Sequence, residues 1–226
     1  MWAQHIPGLL DSARLERLDL LLADAPFVDG RGTAGPLLAL VKMNEQIERA
    51  EHPATTAIDE LLSAALFANP QVKTAAFPAK IVPPLIVRYR QGMAYGAHCD
   101  NGVMATNKGL MRSDLSCTIF LSDPQHYSGG ELEIETAMGV LAWKLPRGDA
   151  ILYPSGAIHR VTPVTAGERL VAVTWMQSFI ADAHRRTILA DVERLNALVR
   201  QRDPMAPEAL LGTKVYGDLV RMWAEG

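Results

Sequence analysis

His98 and Asp100, with one residue between them, and His159 far downstream could bring two imidazoles and a carboxylate to one side of a metal ion. That donor set suits Fe(II) and leaves positions open for a co-substrate and dioxygen. The chemistry on offer is therefore oxidation. If the chain from Tyr95 to Asp100 is extended, side chains two apart share a face, so His98 and Asp100 converge while Cys99 turns away and is no ligand. The third ligand must come from another strand. His159 follows the strand-like run Ala150 to Tyr153 after a Pro154-Ser155-Gly156 turn. Arg169 then opens a further strand-like run to Trp175, where its guanidinium could grip a carboxylate with two parallel hydrogen bonds. Arg88, Lys144 and Arg160 are the other basic residues that could play that part.

Each residue also has a plainer explanation. A His-x-Asp pair alone is more often a surface pair than a ligand set. Arg169 can be a barrel-end salt bridge, and a strand tyrosine such as Tyr89 is commonly core. His5, His52, His126 and His184 show no ligand-like spacing and read as ordinary surface or loop histidines. Lys42, Asn44 and Gln46 alternate as the wet face of a strand would. Arg112 and Asp114 read as a loop ion pair or as part of a site mouth.

The elements that must hold these residues follow from periodicity. Apolar Leu15, Leu18, Leu21 and Leu22 recur at helical spacing after Asp11 or Ser12, either of which can cap a helix, and a second helical pattern runs from Thr55 to Phe67. Between them Asp29 to Pro36 reads as a loop bordering the site, because Gly and Pro break both regular periods. From about residue 81 to 180 the pattern becomes short β-rich runs: Leu85 to Tyr89, Ser116 to Leu121, Glu131 to Glu135, Leu141 to Leu145, Ala150 to Tyr153 and Leu170 to Met176. Short strands without intervening helices favour a mainly β fold, a jelly-roll or double-stranded β-helix. The tail returns to helix: Asp182 caps a segment with an apolar stripe of Ile188, Val192, Leu195 and Val199, and a last helix covers Glu208 to Trp223. The expected organisation is one domain over 1–226, with helical N-terminal support (1–80), a β-helix core (81–180) and a helical C-terminal extension (181–226).

Composition agrees with that plan. The chain has 226 residues, 49% of them hydrophobic, and β barrels of about 200–250 residues form single domains. The formal net charge is −3, and no basic run marks a nucleic-acid partner. The N-terminal stretch lacks the uninterrupted apolar core of a signal peptide or membrane span, and two cysteines, Cys99 and Cys117, give no disulfide framework. A cytoplasmic location without membrane attachment is the expectation, and the apolar tail helices could pack on the barrel or on a second copy in a homo-oligomer.

The stretch from Arg88 through Tyr89, Gly92 and Tyr95 to His98 and Asp100 resembles the metal-binding entry of the 2-oxoglutarate-dependent, prolyl-4-hydroxylase-like dioxygenases. Asp114 to Pro124 leading into Gly129-Gly130-Glu131-Leu132, and Leu145 to Ser155 leading into His159, Val161, Gly167 and Arg169, resemble the same group. Within it the chain is most similar to the PKHD-type hydroxylases. Ile6 to Leu10, Val28 to Arg31, Met111 to Asp114 and Trp175 to Ser178 carry that likeness, so it spans nearly the whole chain. The resemblance implies Fe(II) on His98, Asp100 and His159, and 2-oxoglutarate anchored by Arg169. Many members of the wider superfamily carry Ser or Thr two positions after that arginine; Val171 stands here, and Tyr89 is the candidate for the second hydrogen bond. It further implies hydroxylation of a peptidyl or small-molecule substrate using O2, with succinate and CO2 as products, L-ascorbate as helper reductant, a link to iron uptake, and a rim of the substrate pocket around Lys42, Asn44 and Gln46. Retained Asp100 argues for hydroxylation, since halogenating relatives replace it by a small residue. Two rival readings stand beside this one. A zinc hydrolase lacks its usual His-Glu-x-x-His here and has no need of Arg169; a non-catalytic, cupin-like binding module would share the barrel.

Overall fold

Local signals place the helices before packing does. In the computed structural model, which describes residues 3–48, 53–106 and 109–225, Asp11 accepts a hydrogen bond from the Arg14 amide and starts α1 (Ser12–Leu22), preceded by β1 (Gln4–Ile6). The chain continues through β2 (Phe27–Asp29), α2 (Pro36–Ala39), β3 (Lys42–Met43), β4 (Glu45–Ile47) and α3 (Pro53–Ala68). Asn69 caps α4 (Pro70–Ala76), whose first residue is a proline that loses no hydrogen bond there. The strands that follow are β5 (Pro78–Ile81), β6 (Leu85–Arg90), β7 (Ala94–His98), β8 (Val103–Thr106), β9 (Gly109–Arg112), β10 (Leu115–Phe120), β11 (Tyr127–Gly129), β12 (Leu132–Thr136), β13 (Gly139–Trp143), β14 (Ala150–Pro154), β15 (His159–Val161) and β16 (Val164–Ser178). Asp182 caps α5 (Ala183–Arg202), and α6 (Pro207–Trp223) ends the chain.

The strands form a mainly β, double-stranded β-helix. A large antiparallel sheet runs β1-β14-β10-β16-β6-β4-β2, with β5 and β11 joining β16; a smaller one runs β13-β12-β15-β7-β3; β8 and β9 form a separate hairpin. Strand β10 is buried along its whole length because both faces are covered. Leu115, Cys117 and Ile119 pack with Leu62, Leu66 and Val72 of α3 and α4. Phe120 turns the other way, joining Val87, Tyr89, Tyr153 and Val171 of the large sheet and Leu132, Ile134 and Val161 of the small one. This second cluster floors the candidate site.

The structure departs from the sequence expectation in the N-terminal eighty residues. They are not helical support alone: β1 pairs with β14, β4 with β6 and β3 with β7. Strands of two or three residues are too short for alternation to register. The stretch read as a loop from Asp29 to Pro36 holds a 3-10 turn, Gly30–Thr33, and leads into α2. Helix α4 has no counterpart in the sequence reading. Strand β13 starts two residues earlier than expected. On α5 the buried residues are Arg186, Leu189 and Asn196, whereas Leu195 is exposed; polar side chains take inward positions because α5 packs on α6, with Asn196 donating to the Gly212 carbonyl at 3.0 Å.

Candidate metal and co-substrate site

His98 ends β7 and His159 begins β15, and the antiparallel register sets them directly opposite one another. Their rings lie 4.2 Å apart between centroids. Asp100 follows two residues after His98; its amide donates to the Ser155 carbonyl, and the intervening Cys99 is exposed. One ligand atom from each of His98, Asp100 and His159 lies within 4.8 Å of the others. His159 Nε2 is 3.9 Å from Asp100 Oδ2.

The immediate surroundings fix the orientation of these atoms. His98 Nδ1 donates to the Gly96 carbonyl at 2.8 Å and His159 Nδ1 to the Ala157 carbonyl at 2.9 Å. A carbonyl only accepts, so each ring carries its proton on Nδ1 and offers the Nε2 lone pair inward. Burial first, and then the neighbouring His159, push His98 down to about 4, keeping the imidazole neutral as a ligand must be. Ser116 donates to Asp100 Oδ2 at 2.5 Å, and a hydroxyl chain continues through Ser155 to Ser113. Two imidazoles with Nε2 turned inward and one carboxylate, each held from behind, fit a divalent ion that keeps open positions. The serines were absent from the sequence reading: nothing in Ser116, inside an apolar strand, signals a role until the fold sets it behind Asp100.

Arg169 lies on the interior face of β16, directly paired with Tyr89 on β6, and is 1% exposed. Its guanidinium carbon sits 5.1 Å over the Tyr89 ring and 5.7 Å from that of Phe120. Among the described residues no carboxylate lies within ion-pairing distance of it, and its Nε has no hydrogen-bond partner. A Cβ on Gly130, which has φ +68, would come to 3.0 Å from Arg169 Cδ, so that glycine leaves room for the side chain. The Tyr89 hydroxyl accepts from Asn44 Nδ2 at 3.1 Å and keeps its own proton to donate. A buried guanidinium with no carboxylate partner, beside a free phenolic donor, fits the distal carboxylate of an oxodicarboxylate. The other basic candidates are already committed: Arg88 to Glu45, Lys144 to the Tyr127 carbonyl and Arg160 to Glu133.

Several other sequence candidates resolve into structural roles. Arg112 pairs with Asp114 at 2.7 Å, as a loop ion pair would. His5 bonds Asp149, His126 and His184 are exposed, and His52 lies outside the described residues. Lys42, Asn44 and Gln46, read from alternation as a wet face, are instead 6%, 4% and 3% exposed. They point into the barrel. Among the described residues no helix is long and apolar enough to cross a membrane.

A sequence model of the 2OG-Fe(II) oxygenase superfamily matches residues 84–177, the stretch that carries the triad and Arg169. A PKHD-type hydroxylase of Teredinibacter turnerae is 42% identical over 222 residues, covering 97% of this chain and 98% of the relative. One of Hyphomonas neptunium is 43% identical over 221 residues, with the same coverage of 97% and 98%. Among solved structures, a Trichoplax adhaerens prolyl hydroxylase in complex with a hypoxia inducible factor peptide fragment aligns with TM-score 0.58 at 16% identity, over 77% of this chain and 82% of that one. A Pseudomonas putida prolyl-4-hydroxylase aligns with TM-score 0.51 at 19% identity, over 78% and 92%. These two share the fold.

Proposed function

The chain belongs to the PKHD-type hydroxylases, 2-oxoglutarate- and Fe(II)-dependent dioxygenases of the 2OG-Fe(II) oxygenase superfamily, and from that premise we propose that His98, Asp100 and His159 hold the iron while Arg169 and Tyr89 hold the co-substrate. The observation that carries the assignment is the convergence of three ligand atoms within 4.8 Å in the same barrel as a buried arginine whose Nε has no hydrogen-bond partner.

Iron and 2-oxoglutarate together supply the oxidising power, with O2 consumed, succinate and CO2 released and a C–H bond of the primary substrate hydroxylated. The protein's share is placement and exclusion of water. The Gly96 and Ala157 carbonyls hold the Nδ1 protons of the two histidines and so fix which nitrogen faces the metal. Ser116 holds one oxygen of Asp100. Arg169 offers a rigid fork to the distal carboxylate, and Tyr89 adds one further donor where Val171 has none to give. Val87, Ile134 and Val161 line the interior with apolar surface, where charge-assisted bonds gain strength.

The primary substrate in this proposal is a peptidyl residue or a small metabolite. On family resemblance alone it carries L-ascorbate as reductant and a link to iron homeostasis, and on the N-terminal stretch and the two cysteines a cytoplasmic location. Self-association would use the apolar residues that α5 and α6 leave exposed, among them Leu198 and Leu210. Anaerobic Fe(II) protein titrated with 2-oxoglutarate should develop a metal-to-ligand absorption band, and admitting O2 should yield succinate. A band of undiminished intensity in His98→Ala would sink the ligand assignment.

A further inference from the structure

Among the described residues Lys42, Arg169 and Arg186 are the buried cationic side chains. Arg186 gives two of its donors to backbone carbonyls, those of Ile180 and Ala181, and has the Asp114 and Asp182 charges nearby. In the reading above, Arg169 takes the distal carboxylate of 2-oxoglutarate and the metal takes the other end. One buried cation is left over, and it stands close to the triad. Lys42 is paired across the ladder with Tyr95, its ammonium lies 5.5 Å from the centre of that ring, and the same ring stacks on His98 at 3.7 Å.

The bonding around Lys42 leaves a surplus of donors. Its Nζ donates to Thr33 Oγ1 at 2.8 Å. The Thr33 hydroxyl in turn faces Gln46 Oε1 at 2.8 Å and the Gly30 carbonyl at 3.1 Å, which uses the amide's acceptor and leaves the Gln46 Nε2 hydrogens without a described partner. An ammonium carries three donors and no acceptor, so two N–H groups of Lys42 remain. No carboxylate among the described residues pairs with it. The 3-10 turn holding Thr33 is fixed in place: a Cβ on Gly30 would overlap Asn44 Oδ1 at 1.8 Å, and the Gly30 amide donates to the Asn44 carbonyl. A lysine with only a structural task would extend its head to water. This one is drawn inward beside the metal ligands, and burial pushes it down to about 8, against the pull of Asp100 and Asp29. A buried cation with spare donors is costly unless something brings the counter-charge.

Resting on the reading of the site given above, we propose that Lys42, with Gln46 oriented by Thr33, receives a carboxylate of the primary substrate, so that this enzyme hydroxylates a carboxylic acid. Lys42 supplies the charge and Gln46 Nε2 the second donor, and the carbon to be oxidised is thereby directed toward the face shared by His98, Asp100 and His159.

Binding can be tested without turnover. Protein loaded with Mn(II) and saturating 2-oxoglutarate is titrated with propionate, its neutral isostere propionamide, and the capped tripeptide acetyl-Ala-Glu-Ala-amide, following paramagnetic relaxation of each probe's protons by the manganese. Propionate or the tripeptide should be held and relaxed, and propionamide ignored. The acid that binds shows whether the carboxylate belongs to a free small molecule or to a peptide side chain. Lys42→Met should weaken the acid at least about tenfold, the loss of a charge-assisted bond, and Lys42→Arg should retain it. Gln46→Glu, which places a carboxylate in the protein's own pocket, should exclude the acid from a folded protein. In all three variants 2-oxoglutarate should bind as in the wild type. If the wild type holds 2-oxoglutarate but ignores both acids, or Lys42→Met binds them undiminished, the Lys42 assignment is overturned and the reading of the site stands. Loss of 2-oxoglutarate in Lys42→Met would make Lys42 part of the co-substrate site and overturn the proposal. If the wild type itself fails to hold 2-oxoglutarate, the reading of the site fails and this inference with it.

Discussion

Two regions bury an arginine almost completely and use it in opposite ways. Where α5 meets the sheet, Arg186 donates from one nitrogen to the Ile180 carbonyl at 2.7 Å and the Ala181 carbonyl at 2.8 Å, and the nearby Asp114 and Asp182 charges support its ionised form against burial. Inside the barrel Arg169 is buried more deeply yet has neither a carboxylate partner nor a bond to Nε among the described residues. A buried charge held by backbone carbonyls with carboxylates nearby holds structure together; one that lacks a carboxylate partner inside a barrel is held in readiness for a ligand. The triad belongs to the second kind, since the Nε2 atoms of two imidazoles and a carboxylate oxygen converge within 4.8 Å of one another.

The comparison predicts that substitutions in the barrel cost binding and substitutions in the shell cost stability. The largest effect expected is in the triad. His98→Ala or His159→Ala should abolish stoichiometric Fe(II) binding while leaving the far-ultraviolet circular dichroism spectrum unchanged, because losing one of three ligands leaves a site too weak to compete with water. Full iron occupancy in both would break the assignment. Asp100→Ala is expected to retain some metal and lose hydroxylation.

Next comes Arg186→Met in the shell. It strips two carbonyls of a charged donor, each bond being worth roughly 1.5–3 kcal/mol, so denaturant unfolding should show a loss of about 3–6 kcal/mol with metal and 2-oxoglutarate affinity intact. Arg169→Ala reverses the pattern. The anaerobic absorption titration should show at least about tenfold weaker 2-oxoglutarate binding, with Fe(II) affinity nearly unchanged. Arg169→Lys, which keeps the charge and loses the fork, should fall between. Without co-substrate the Arg169→Ala protein should unfold no more readily than the parent, since removing an unpaired buried charge is neutral or favourable. A large loss of stability there would class Arg169 with Arg186.

What could be seen in the sequence follows the same division. Strands β6, β10, β12, β14 and β16 were legible because turn signals bound runs long enough to show β character, and α1 and α5 because Asp11 and Asp182 announce their starts. The convergence of His98, Asp100 and His159 was legible because it depends on residue types at fixed strand positions, which sequence carries directly. Lys42, Asn44 and Gln46 misled because alternation reports that one face differs from the other and does not say which face is buried. Strand β3 is two residues long, so its partner β7, and with it the burial of Lys42, emerges only from tertiary pairing. Leu195 misled on α5 for a related reason: a helix packed on both α4 and α6 can bury Arg186 and Asn196 while leaving a leucine outside.

The smallest effect expected is at Ser116, where the interior of the barrel and the hydroxyl chain behind it meet. Ser116 Oγ holds Asp100 Oδ2 at 2.5 Å and is itself tied to Ser155, so it positions a ligand without being one. Ser116→Ala removes that hold but leaves all three ligand side chains and the buried strand β10 in place. Outer partners of metal ligands typically matter by about ten- to a hundredfold in affinity. The lower figure is expected here, because the Asp100 amide bond to the Ser155 carbonyl still fixes the backbone. Competition for Fe(II) against a chelator of known strength measures this, with Ser116→Thr as the partner variant that restores a hydroxyl. Weakened iron binding in the alanine variant and recovery in the threonine variant would separate positioning of the carboxylate from simple damage to the strand, and equal affinities in all three proteins would show that Asp100 needs no such support.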